Sequence, residues 1–97
     1  MMKFDELCQE LQSKGVQSIY LIHNEDKEAE TRKFAKRLAE RGFIPIVAAD
    51  YRKRGSQAVS DAIKRCQLSI VMAFNENEVD KAINAGVPFF LDVEDEQ

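Results

Sequence analysis

The stretch FNENEVDKAINAGVPFFL, residues 74–91, decides the fold. It reads as the end of one buried strand, a short helix, and the start of the next strand. Val79, Ala82 and Ile83 have the spacing of a single helix face, and Gly86 is the residue type that ends a helix in a left-handed turn. VPFFLDV, residues 87–93, reads as the last strand, followed by a frayed acidic EDEQ tail. Two strands joined through a helix pair in parallel by a right-handed crossover. The junction Asn75-Glu76-Asn77-Glu78 therefore falls at the carboxyl end of a parallel sheet, where open α/β folds take their ligands.

The same alternation runs upstream. Phe4, Leu7, Cys8 and Leu11 make one face of a first helix, and Gly15 stops it. SIYLI (Ser18 to Ile22) is an apolar run of the kind buried in a parallel sheet. Asn24, Glu25 and Asp26 open a second helix, with acids at its positive end. Its predicted core face is Ala29, Phe34, Ala35 and Leu38, while Glu28 with Arg32 and Lys36 with Glu40 make a solvated outer face.

FIPIVAA (Phe43 to Ala49) is the second strand, and Pro45 places it at a sheet edge because proline cannot donate to a ladder. The loop DYRKRGS follows, with Ser56 as the cap of a third helix striped by Val59, Ala62, Ile63 and Cys66. LSIVMAF (Leu68 to Phe74) is the most apolar strand and is expected in the sheet centre. The expected architecture is a three-layer, flavodoxin-like α/β fold. It has a four-stranded parallel sheet of order 2-1-3-4, an extra N-terminal helix, and one domain over residues 1–97.

Composition narrows the function classes. With 44% apolar and 32% charged residues, the chain is a folded globular domain and not a disordered segment. Seventeen acids against fourteen bases give a net charge of −3, which argues against general nucleic-acid binding. Cys8 and Cys66 fall on apolar helix positions outside any CxxC or Cys/His cluster, so they read as buried free thiols in a reducing cytosol. No signal peptide and no membrane-spanning run is expected, and the chain reads as cytoplasmic with no membrane partner.

The 2-1-3-4 order has its switch point between the first and third strands, so His23 to Asp26 and Asn75 to Glu78 should share a crevice. Glu78 has two readings. It is a nucleophile or acid/base group at a wet crevice, or it is the N3 residue of a capping box started by Asn75. His23, the only histidine, is either a general acid/base or base-stacking group, or a strand-end residue bonded to a loop. Asp26 and Glu25 with Asp50 and Asp92 suggest an acidic ring, but first-turn acids are ordinary helix starts, and no metal site is expected. A phosphoacceptor receiver needs an aspartate where Phe74 and Asn75 stand. Arg52, Lys53 and Arg54, followed by Gly55, Ser56 and a helix N-terminus, form a candidate phosphate seat. Neither GxxxxGK[ST] nor GxGxxG occurs.

Two families resemble this pattern over residues 17–93. SIYLIHNEDKEAETRKFAKRLAERGF resembles the first strand and helix of the TIR domain, and YRKRGSQAVSDAIKRCQLSIVMAF resembles its basic BB loop, third helix and third strand. IYLI and EVDKAINAGVP are similar to the nucleoside 2-deoxyribosyltransferases. Both resemblances imply a glutamate, here Glu78, acting at the sugar carbon of an N-glycosidic bond. The Ser–x–Trp–Cys approach to the TIR glutamate and the glycine-rich approach of the transferases are absent. The implied ligand is NAD, another nucleotide or a nucleoside, with no resident cofactor. His23 and Asn75 would then orient sugar or base, Arg52 and Arg54 would hold phosphate, and Asn24, Asp26 and Ser56 would also contact the ligand. Whether the chain is a hydrolase or transferase stays open beside a second expectation, a non-catalytic TIR-like interaction module that forms homodimers.

Overall fold

A computed structural model describes residues 2–91 of the chain. Helix α1 (Phe4–Ser13) buries Phe4, Leu7, Cys8 and Leu11, as their spacing predicts. Gly15, at φ 69°, then turns the chain through the left-handed region that side chains disfavour. Strand β1 (Ser18–Ile22) follows, and a 3-10 turn (Glu25–Lys27) leads into α2 (Glu28–Glu40). Strand β2 (Ile44–Val47) runs directly into a short α3 (Ala48–Arg52), and α4 is Ser56–Arg65. Strand β3 (Leu68–Val71), α5 (Glu76–Ala85) and β4 (Phe89–Phe90) complete the chain of elements.

The sheet has the order β2-β1-β3-β4, with every pair parallel and β1 and β3 inside. Because side chains alternate across a strand, β1 feeds two cores. Ile19 and Leu21 pack with α1 and α2, together with Phe34, Leu38 and Ile70. Tyr20 and Ile22 pack with Val59, Ala62 and Ile63 of α4 and Val79 and Ala82 of α5. This is the flavodoxin-like three-layer arrangement that the alternation implies. No helix among the described residues is long and apolar enough to cross a membrane. Cys8 and Cys66 are free and buried, and desolvation pushes the Cys8 thiol up and the Cys66 thiol up to about 11.

Strand β2 is an edge, and its hydrogen bonds show what Pro45 does there. The Ile44 N–H donates to the Gln17 carbonyl at 2.8 Å while Ile44 pairs with Ser18. Ile44 and Ile46 therefore turn their polar groups toward β1. Pro45 turns outward, so its missing N–H lies on the open side.

Four local expectations differ from the structure. Ala29 is exposed, and Thr31 takes the buried place with its hydroxyl donating to the Lys27 carbonyl at 2.7 Å. That bond makes a polar side chain acceptable in the core. Ala48 and Ala49 leave the second strand for α3, which also takes in half of the expected loop, because alanine is the strongest helix former. Strand β3 stops at Val71, which leaves Phe74 66% exposed. Gly55 (φ 102°), not Ser56, occupies the N-cap of α4. The expected strand end at Asp92 and Val93 and the EDEQ tail lie outside the described residues.

Candidate functional site

The site forms where the carboxyl ends of β1 and β3 meet α3 and the first turns of α4 and α5. Asn75 is the N-cap of α5, and its Oδ1 accepts the Glu78 N–H at 3.1 Å. That is half of a capping box. The other half is replaced, because the Glu78 carboxylate turns to Arg52. Arg52 Nε donates to Glu78 Oε2 at 2.7 Å and Nη2 donates to Oε1 at 2.9 Å, a bidentate pair. Glu78 is 3% exposed, so the carboxylate has entered the core side of α5. This rotates the helix. Glu78, Val79 and Ala82 form its buried face, and Ile83 is left 56% exposed instead of buried as the spacing suggests.

Arg52 also donates from Nη2 to the His23 carbonyl oxygen. One guanidinium thus ties the end of β1 to the start of α5. The hydrogen bond to Glu78 holds the Arg52 pKa above its ordinary value, against the opposing effect of burial. The His23 ring is fully buried and engaged at both nitrogens. Nδ1 lies 2.8 Å from the Asn24 carbonyl, and Nε2 accepts the Ala49 N–H at 3.2 Å. Nε2 as acceptor assigns the ring proton to Nδ1, which donates to Asn24. The ring therefore ties the end of β1 to the start of α3, and only the main chain of His23 reaches the site.

A cleft of about 280 Å³ opens above the pair, lined by Arg52, Gly55, Ser56, Asn75, Glu78 and Lys81, with Val59 and Asn77. Arg52, Ser56, Asn75 and Glu78 are thus brought together from three separate expectations. Asn24, Asp26 and Arg54 do not line the cleft. Asn24 has a buried Oδ1 without a hydrogen-bond partner, Asp26 is exposed, and the Arg54 guanidinium sits 4.8 Å over the Tyr51 ring.

The acidic ring does not assemble. Asp50 pairs with Arg32 at 2.9 Å, which holds its carboxyl below the usual range, while Asp92 lies outside the described residues. Among the described residues no group of three or more His, Cys, Asp or Glu side chains is placed to hold a metal.

Sequence reasoning missed Lys81, while Asn77 lay within the Asn75 to Glu78 stretch expected at the crevice. They stand four residues apart on α5, the spacing that projects two side chains from one helix face, so the signal was present. Lys81 Nζ donates to Ser56 Oγ at 2.9 Å and bridges α5 to the start of α4. A larger cleft, about 390 Å³, lies at the amino edge between Gln12, Gly15, Arg41 and Phe43. It is at the wrong end of the sheet for an α/β ligand site, and its cation is already paired, with Asp5 at 2.9 Å.

Beneath Glu78 lies Tyr20, fully buried, whose hydroxyl faces the Glu78 carboxylate without a hydrogen bond of regular geometry. Burial first, and then the negative charge of Glu78, push its pKa far above the ordinary phenol value. Ser69, paired with Tyr20 across the β1–β3 ladder, also has an unpartnered hydroxyl. An orphaned buried hydroxyl costs about 1–3 kcal/mol. Tyr20→Phe is therefore expected to raise stability by about 1 kcal/mol in urea unfolding. A loss of that size instead would show that the hydroxyl hydrogen-bonds the Glu78 carboxylate.

Comparison with protein-family models, with curated proteins and with solved structures finds no match to the chain. The functional reading rests on the chemistry of the cleft and on the motifs of the chain itself.

Proposed function

We propose that the chain binds a nucleotide or nucleoside at the carboxyl edge of its sheet and cleaves its N-glycosidic bond with Glu78. The observation that carries this reading is the floor of the cleft: a buried carboxylate, flanked by two cations and two asparagine amides. The resemblance to TIR domains and to nucleoside 2-deoxyribosyltransferases, which meet at Glu78, supports it.

Each residue has a role that follows from its position. Lys81, Ser56 and the uncapped start of α4 suit a phosphate. Asn75 and Asn77 suit sugar hydroxyls, since an amide both donates and accepts. A cleft near 280 Å³ matches the lower end of ligand pockets, about 300 Å³. It suits one nucleoside or one nucleotide half, so with NAD only the nicotinamide riboside end would enter.

In the reaction, a Glu78 oxygen bonds to C1′ as the C1′–N bond breaks, and the base departs with the bonding pair. A purine then takes a proton from solvent, whereas nicotinamide leaves neutral. Water hydrolyses the glycosyl ester and returns the carboxylate. Both Glu78 oxygens are held by Arg52, so one must be released first. A ligand phosphate drawing the guanidinium away would do this, which favours phosphorylated ligands.

The test incubates the protein with NAD, nucleoside monophosphates and deoxynucleosides, separates the products, and follows melting temperature with each ligand. Release of free base by the wild type is expected, with Glu78→Gln abolishing release but keeping a ligand-induced rise in Tm. No base release and no ligand-induced rise would sink the reading.

A further inference from the structure

The two edges of the sheet are unlike. At β2 the missing N–H of Pro45 faces outward, which is one of the ways natural edges resist pairing with another strand. At β4 the arrangement is reversed. The Pro88 carbonyl accepts the Ser69 N–H at 3.0 Å while Ser69 pairs with Phe89. Pro88 and Phe90 therefore turn inward to β3, so the proline defect is hidden. Phe89 turns its N–H and C=O outward, as does the N–H of Leu91 in the same alternation. No strand among the described residues lies beyond β4.

The flanks of this edge are apolar. Phe89 and Phe90 are half-buried, one against each core of the sheet. Leu91 is 54% exposed and Ile83 56%. The position of Ile83 follows from the helix. Lys81, Asn84 and Ala85 share a groove with Gln57, Ser60 and Lys64, so that side of α5 meets α4. Val79 and Ala82 face the sheet, which leaves Ile83 on the opposite flank, above β4. Among the described residues, three of the four large exposed apolar side chains, Phe74, Ile83 and Leu91, thus belong to the β3–α5–β4 unit.

We infer that this edge pairs with the same edge of a second copy, antiparallel about Phe89, to give a continuous sheet across a two-fold axis. The register is self-complementary. Phe89 exchanges both hydrogen bonds with Phe89 of the second copy, and Leu91 donates to the Val87 carbonyl. The Val87 N–H is already used by the Ala82 carbonyl at 3.0 Å, so only its carbonyl is needed.

Charge selects a second copy as the occupant. With the axis at Phe89, Phe89 faces its own copy and Val87 faces Leu91, so a charge beside the axis would stand close to a like charge. Residues 86–91, GVPFFL, carry none in a chain that is 32% charged. Above the strand, the exposed Ile83 side chains of the two copies lie on the same face of the joined sheet.

The experiment measures mass by light scattering across a concentration series, with the wild type beside Ile83→Lys/Leu91→Lys. Both sites are more than half exposed, so the monomer fold is unaffected, which circular dichroism checks. The wild type is expected as a dimer, twice the 11.1 kDa chain mass, with the double variant monomeric. The Phe89 amide should exchange slowly in the wild type and fast in the variant. A wild type that stays monomeric with a fast Phe89 amide overturns the inference and leaves an extended peptide as the occupant. A dimer that survives the double substitution also overturns it. Neither result depends on whether the cleft binds a nucleotide.

Discussion

Arg52→Met lowers the melting temperature by roughly 12–24 °C. Removing one partner of a buried ion pair costs about 3–5 kcal/mol, because the other charge is left buried and unpaired. The lower end, about 3 kcal/mol, applies here because the Arg52 side chain is 24% exposed while that of Glu78 is only 4% exposed. A domain of this size converts each kcal/mol to about 4–8 °C. The loss has a second component, since the His23 carbonyl also loses its donor.

The double substitution Arg52→Met/Glu78→Leu separates the pair from its surroundings. A well-packed apolar pair in place of a buried ion pair is often neutral or stabilising, so the double variant is expected to recover most of the lost stability. Urea unfolding of the wild type, both single variants and the double variant gives the coupling energy directly. A single-variant loss below about 1 kcal/mol would place the pair among surface salt bridges, and Glu78 would not be the buried carboxylate on which the functional reading depends.

Phe34→Ala costs about 3–5 kcal/mol, the range for emptying a buried aromatic site. Phe34 is fully buried on α2, and its ring meets Phe4 of α1 edge-on at 5.6 Å and 86°. The guanidinium of Arg37 stands 4.0 Å from the centroid of the same Phe4 ring. Losing Phe34 therefore opens a cavity against β1 and also removes the ring on which α1 docks. Hydrogen exchange should show α1 amides losing protection before those of β1. Equal protection in both, with a stability loss below about 1 kcal/mol, would mean that α1 docks through Leu7 and Leu11 alone.

These two sites show unequal legibility in the sequence. The α1 face was readable because apolar residues at helical spacing have one low-energy placement, inside. The edge position of β2 was readable because Pro45 cannot donate a hydrogen bond. Glu78 was readable as a position but not as a conformation. Capping and pairing compete for the same carboxylate, and the partner that wins, Arg52, is 26 residues away in the chain. The same competition hid the rotation of α5, since Val79, Ala82 and Ile83 give an acceptable apolar face until Glu78 is pulled inward.

His23 illustrates a different loss. As a lone histidine at a strand end it had two readings. Both ring nitrogens are taken, by the Asn24 carbonyl and the Ala49 amide, and the second of these exists only because the chain becomes helical at Ala48. Lys81 was overlooked because a lysine one turn beyond Asn77 resembles any solvated helix face until α4 is laid beside it.

What the sequence determined by itself was the order of strands and helices, the parallel sheet, and the level at which a ligand site lies. Hydrophobic periodicity, glycine and proline act locally, and short strands joined by helices leave few ways to build a sheet. Tertiary structure alone decided which polar groups meet. It set Arg52 on Glu78, closed both nitrogens of His23, buried the Tyr20 hydroxyl beneath Glu78, and turned the hydrogen-bonding groups of Phe89 outward. Such contacts join residues far apart in the chain, and their energies depend on burial that no local pattern encodes.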